Sequence, residues 1–176
     1  MFSSPENYWA ERDTDPLRFY YWPIVGSLYK RRIENCLELL DCESLPSYNR
    51  LLEVGFGSGV SFMNASEMFE EIYGIDSHAH CQKVASCFPS MGMRLHLTNG
   101  SVQRMPYESC FFDAVLLISI LEHLQPQELE ASFSEIRRVL RPGGIVVYGV
   151  PVERPFMKLA FRLLGYDIQK HHFSSK

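Results

Sequence analysis

The chain has 176 residues, 46% of them hydrophobic and 22% charged, which is the composition of a globular domain with one core and excludes a disordered chain. Seventeen basic residues against 21 acidic ones leave a net charge of −4, which argues against the clustered basic surface of a nucleic-acid binder. The charge is uneven, with +4 on residues 154–176 and −8 on the first 153.

Residues 5–23 are aromatic and broken by Pro5, Pro16 and Pro23, so they read as an irregular arm. A helix follows from Ile24 to Leu40, with Ile33, Cys36, Leu37 and Leu40 on one face, before a loop around Pro46 and Asn49. Leu51–Val54 is a short apolar run ending in glycines, the pattern of a buried parallel strand. The alternation then continues with a helix over 60–69, a strand over 71–76, a helix over 79–88 and strands over 94–98 and 112–119. A helix over 127–140 places Leu129, Phe133, Ile136 and Leu140 on one face and is stopped by Arg141–Gly144; a fifth strand spans 144–150 and a tail helix 155–164. Strands separated by helices imply an α/β, doubly wound, mainly parallel sheet of about five strands. A single domain is expected over 1–176, with an arm and helix over 1–49, a core over 50–151 and a basic tail over 152–176.

No apolar run approaches the ~18 residues of a membrane-spanning helix, and the N-terminus lacks the basic flank and apolar stretch of an export signal, so a cytoplasmic location is expected. The five cysteines are odd in number and match neither a zinc knuckle nor a redox pair, which suits reduced, buried thiols. His171 and His172 have no third ligand at metal-binding spacing, and no metal site is expected.

The chemistry concentrates in Glu53-Val54-Gly55-Phe56-Gly57-Ser58-Gly59, between a strand and a helix, where backbone N–H groups face the crevice beyond the strand ends. The dinucleotide fingerprint requires its third glycine at the position of Val60, so a pyrophosphate cradle is disfavoured. Glu53 would repel a phosphate there and attract an ammonium group. Asp76 ends the second strand 21 residues after Gly55, where an acidic residue meets a ribose hydroxyl pair. One carboxylate for an amine, one for a ribose and backbone donors for a carboxylate describe a nucleoside joined to an amino acid.

At this point the chain resembles a known family. Leu51–Gly59, Glu71–Asp76, Gly100–Pro106, Phe112–Leu124 and Leu140–Pro151 look like the successive motifs of class I S-adenosylmethionine-dependent methyltransferases, nearest the small-molecule type 11 branch. The resemblance implies a Rossmann-like fold and S-adenosyl-L-methionine as cofactor. It assigns the methionine portion to Glu53, Gly55, Phe56, Gly57 and Gly59, and the ribose to Asp76. The adenine edge falls to Ser101 and Val102, Ser101 standing where the family commonly has an Asp, so its contact is expected to be weaker. Ser119 and the turn that follows it would line the reactive end of the donor, with His123 as candidate base for an acceptor that arrives protonated. Asp113 is expected to be structural.

Family members usually have seven strands, whereas only 25 residues follow Pro151. This implies a shortened form or a fragment, and an association, such as a homodimer, through the uncovered fifth-strand edge. The basic stripe Arg154, Lys158 and Arg162 on the apolar tail helix allows contact with a membrane surface as a minor alternative. The leading function is methyl transfer to a small-molecule acceptor. A methyltransferase-like binding partner without catalysis is the runner-up, and a nicotinamide-dependent oxidoreductase is remote.

Overall fold

The computed structural model describes residues 25–42, 49–88 and 92–150. The expected arm and tail helix lie outside these residues. Five strands form one sheet in the order β3-β2-β1-β4-β5, where β1 is Arg50–Val54, β2 Glu71–Asp76, β3 Arg94–Asn99, β4 Phe112–Ile118 and β5 Leu140–Gly149. Every pairing is parallel. The order runs outward from β1 to β3, then returns to β4 on the other side of β1. The carboxyl ends of β1 and β4 therefore flank a topological switch point, the place where open parallel sheets bind ligands.

Alternation along the central strands divides the core between two faces. Leu51, Ala114 and Leu116 pack on one side with Ile33, Leu37 and Leu40 of α1 (Val25–Cys42), Phe62 and Ala65 of α2 (Phe62–Ala65), and Val84 of α3 (Cys81–Ser86). Leu52, Val54, Val115 and Leu117 pack on the other with Ile136 and Val139 of α4 (Pro126–Val139). Strands buried on both faces need no polar alternation, which is why β4 is an unbroken apolar run apart from Asp113.

Three expectations about the elements are corrected. The helix expected over 60–69 is regular only over Phe62–Ala65, with turns on either side. Phe133 is 44% exposed, because α4 is rotated so that Ser132, Ile136 and Val139 face inward. Ser132 tolerates this burial by donating its hydroxyl to the Glu128 carbonyl at 2.6 Å. Leu140 is not the last helical residue: it already pairs with Phe112, and Arg141–Gly144 form an irregularity inside β5 before Ile145 pairs with Ala114.

Asp113 explains that irregularity and has the structural role expected of it. Its Oδ2 accepts the backbone N–H groups of Asn49 at 2.8 Å and Arg50 at 2.7 Å, and Oδ1 pairs with the Arg141 guanidinium. The carboxylate thus ties the start of β1 to the irregular part of β5. Asp113→Asn retains acceptors for the amides but loses the charge that holds Arg141, whose side chain is 32% exposed. A stability loss of about 1 kcal/mol is expected in denaturant melts.

Candidate cofactor site

The glycine loop leaves β1 with Gly55, Gly57 and Gly59 at φ of 70°, 51° and 73°, a region that costs other residues a clash between Cβ and the backbone. The spacing of the three glycines is thus a backbone requirement. Two of them are also packing requirements: a Cβ at Gly55 would lie 1.9 Å from Ile120 Cδ1, and one at Gly59 would lie 2.5 Å from the Phe62 ring. A glycine-rich turn at a strand end is expected to leave its backbone open toward the crevice. At Gly55 and Gly59, side chains of the protein fill that space.

The loop amides differ from expectation in the same way. Gly55 N–H donates to the Ile75 carbonyl at 2.7 Å, Gly59 N–H to the Phe56 carbonyl at 2.7 Å, and Gly57 N–H to Asp76 Oδ2 at 2.8 Å. Donors for a carboxylate therefore have to come from elsewhere than the three glycines. Phe56 is turned into the core and is 4% exposed, packed against Phe62 at 5.8 Å and edge-on to His78 at 4.9 Å between centroids. Gly74 of β2 makes room for it, since a Cβ there would sit 2.6 Å from the Phe56 ring. Phe56 holds the loop from below.

Glu53 is 4% exposed and accepts a hydrogen bond from the Ser61 hydroxyl. Burial above all, with the charge of Asp76 adding and the Ser61 bond opposing, pushes its carboxyl up to about 8. Among the described residues no cation pairs with it, so a buried acid stands at the end of β1 held neutral for want of a positive partner. Three residues past Gly55, the Ser58 hydroxyl is buried without a hydrogen-bond partner among the described residues. A buried carboxyl at the end of β1 without a cation and a buried hydroxyl in the loop that follows without a partner, both among the described residues, fit a ligand that carries an ammonium group and further polar atoms.

Asp76 ends β2 with its side chain 13% exposed. Oδ2 takes the Gly57 amide and Oδ1 the His78 amide at 3.1 Å, and a carboxylate has lone pairs left for a diol. Ser101 is exposed, and its hydroxyl accepts the Gln103 N–H at 3.2 Å; Val102 beside it is 8% exposed and belongs to the core on the α4 side. Gly100 N–H donates to the Asp76 carbonyl at 2.8 Å, so the segment after β3 is attached to the residue assigned to the ribose.

Ser119 follows β4 at φ 58°, a strained value for a residue with a side chain, and its hydroxyl accepts a hydrogen bond from Arg32 of α1. Its own N–H donates to the Gly149 carbonyl at 2.7 Å. Ile120 then covers Gly55, and Leu121–His123 form a single 3₁₀ turn in which Glu122 is buried and His123 exposed. The structure therefore brings Glu53, Gly55, Gly57, Gly59, Asp76 and Ser119 to the carboxyl edge of neighbouring strands. Phe56 and Val102 turn their side chains into the core, and Ser101 and His123 are exposed. Arg32, Ser58, Ser61 and His78 were not singled out from the sequence. Of these, only Ser58 lay inside the motif.

The comparisons decide between the ligands that such a crevice admits. A model of the methyltransferase domain family matches residues 52–148. The chain belongs to this family. Among curated proteins, a sterol 4-C-methyltransferase of Caenorhabditis elegans is 26% identical over 127 residues, covering 67% of this chain and 37% of its own length. A tRNA (carboxymethyluridine(34)-5-O)-methyltransferase of Arabidopsis thaliana is 29% identical over 135 residues, covering 76% of this chain and 28% of its own. The chain thus spans well under half the length of these relatives. Among solved structures, the PH0226 protein of Pyrococcus horikoshii aligns with a TM-score of 0.65 at 27% identity, covering 78% of this chain and 61% of that one. Family membership brings S-adenosylmethionine as the cofactor. Glu53 fits its ammonium group and Asp76 its ribose diol. No helix among the described residues is long and apolar enough to cross a membrane.

Proposed function

We propose that the chain transfers a methyl group from S-adenosylmethionine to a small organic acceptor. When bound, the cofactor supplies a methyl already activated on a sulfonium, so the protein's work is alignment of donor and acceptor. Glu53 ionises against the ammonium group, Asp76 holds the ribose, and Ser119 fixes the position of the turn that borders the reactive end. His123, in the exposed turn after β4, takes the acceptor's proton where there is one to take. The observation that carries this reading is the buried Glu53, without a cation partner among the described residues, two residues before Gly55, with Asp76 closing β2 21 residues after that glycine.

The acceptor classes named for the two curated relatives, a sterol and a tRNA, differ in what they ask of a surface. A tRNA requires a field of lysines and arginines. The −8 carried by residues 1–153 favours the small acceptor. Assay of methyl transfer from radiolabelled donor to panels of lipid-like and polar small molecules, with bulk tRNA as comparison, tests the reading: label on a small molecule supports it, and label on tRNA alone overturns it.

Ser101 also has a consequence that can be measured. If the adenine edge lies at the segment after β3, Ser101→Asp supplies a charged acceptor and tightens S-adenosylhomocysteine binding about threefold to tenfold. Equal or weaker binding by a folded variant removes Ser101 from the adenine contact.

A further inference from the structure

The glycine loop and the turn after β2 are joined by more than Asp76. His78 stands two residues beyond it, with its side chain 11% exposed. His78 Nδ1 lies 3.2 Å from the backbone N–H of His80, a group that can only donate, so Nδ1 accepts. The proton of the neutral ring is then on Nε2, which lies 2.9 Å from the Gly57 carbonyl and donates to it. The edge of the same ring rests on Phe56 at 4.9 Å between centroids.

Both sides of Gly57 are consequently held by one short segment. Its N–H goes to Asp76 Oδ2 at 2.8 Å and its C=O receives His78 Nε2 at 2.9 Å, while the His78 N–H returns to Asp76 Oδ1 at 3.1 Å. The closed circuit fixes the orientation of the Asp76 carboxylate and the position of Gly57, which has φ of 51° and no side chain to anchor it. The two bonds fall on successive peptide units, the Phe56–Gly57 amide held by Asp76 and the Gly57–Ser58 carbonyl held by His78, so loss of the His78 donor removes one of the two restraints on Gly57.

We infer that His78 is a positioning residue for cofactor binding, a latch that locks the Gly57 peptide and the Asp76 carboxylate into the geometry the ribose requires. The inference rests on the reading of this crevice as the S-adenosylmethionine site. It requires a donor at Nε2 specifically. Glutamine at this position places an amide N–H where Nε2 stands, whereas asparagine reaches only as far as Nδ1 and leaves Gly57 without its donor.

The test compares His78→Gln, His78→Asn and His78→Ala with the unaltered chain in two measurements. In titrations with S-adenosylhomocysteine, Ala and Asn should weaken binding about tenfold, the loss of one buried hydrogen bond, and Gln should stay within about threefold; in steady-state assays the change should appear in the KM for the donor with kcat little altered. In the ligand-free protein, hydrogen exchange at the Gly57 amide should be faster in Ala and Asn and unchanged in Gln. Rescue by Gln in the exchange measurement supports the latch even if the unaltered chain fails to bind S-adenosylhomocysteine, an outcome that would overturn the cofactor site alone. Equal exchange and equal affinity in all four proteins, or equal damage from Gln, Asn and Ala, overturns the latch.

Discussion

Replacing Asp76 with alanine should weaken S-adenosylhomocysteine binding about a hundredfold, near the top of the roughly 1.5–3 kcal/mol range for hydrogen bonds to a charged group. The effect is large because the carboxylate acts twice. It offers lone pairs to the ribose diol, and it organises the loop by accepting the Gly57 and His78 amides at 2.8 and 3.1 Å. Asp76→Asn keeps one oxygen for an amide but supplies an NH₂ where the other acceptor stood, so an intermediate loss of about tenfold is expected. An Asp76→Ala variant that melts like the parent and binds with the same affinity would remove the ribose assignment.

Glu53 should make binding release a proton. In the ligand-free protein burial is the main cause holding its carboxyl at about 8, with the nearby Asp76 charge adding to it, against an ordinary value of 4.5. The native state therefore keeps a proton that the unfolded chain gives up across this interval. The stability Glu53 contributes is complete below about pH 4.5 and is lost as pH rises through about 8. A cofactor ammonium group favours the ionised form, so below pH 8 binding must expel the proton. Calorimetry at pH 7 in buffers of different ionisation enthalpy should report nearly one proton released, and affinity should rise with pH by about tenfold per unit from pH 6 towards 7.5. Glu53→Gln should abolish both the release and the slope and weaken binding about tenfold to a hundredfold. The same proton release in Glu53→Gln would assign it to another group.

The elements that position this site were readable because each leaves a local signature. Buried parallel strands are short apolar runs that end in turn residues, and β1, β2 and β4 fall where Leu51–Val54, Glu71–Asp76 and Phe112–Ile118 show that pattern. Glu53 and Asp76 stood out by position, Glu53 two residues before the glycine loop and Asp76 21 residues after Gly55 at a strand end. What escaped has no local signature. The burial of Phe56 depends on Gly74, 18 residues away, lacking a Cβ. The direct passage from α4 into β5 depends on Arg141 meeting Asp113 across the sheet, where the proline and glycines alone suggested a stop. The rotation of α4 that exposes Phe133 is a tertiary choice between Phe133 and the inward stripe of Ser132, Ile136 and Val139. His78 resembles any polar residue in a turn until its two ring nitrogens are seen bridging Gly57 and His80.

The central claim is that the crevice over Gly55–Gly59 holds S-adenosylmethionine through Glu53 and Asp76, and titration calorimetry with the product, S-adenosylhomocysteine, tests it most directly. One-to-one saturable binding that disappears or falls about a hundredfold in Asp76→Ala, with no heat from NAD under the same conditions, is the result expected. Heat from NAD with none from S-adenosylhomocysteine, or S-adenosylhomocysteine binding indifferent to both Asp76→Ala and Glu53→Gln, would contradict it.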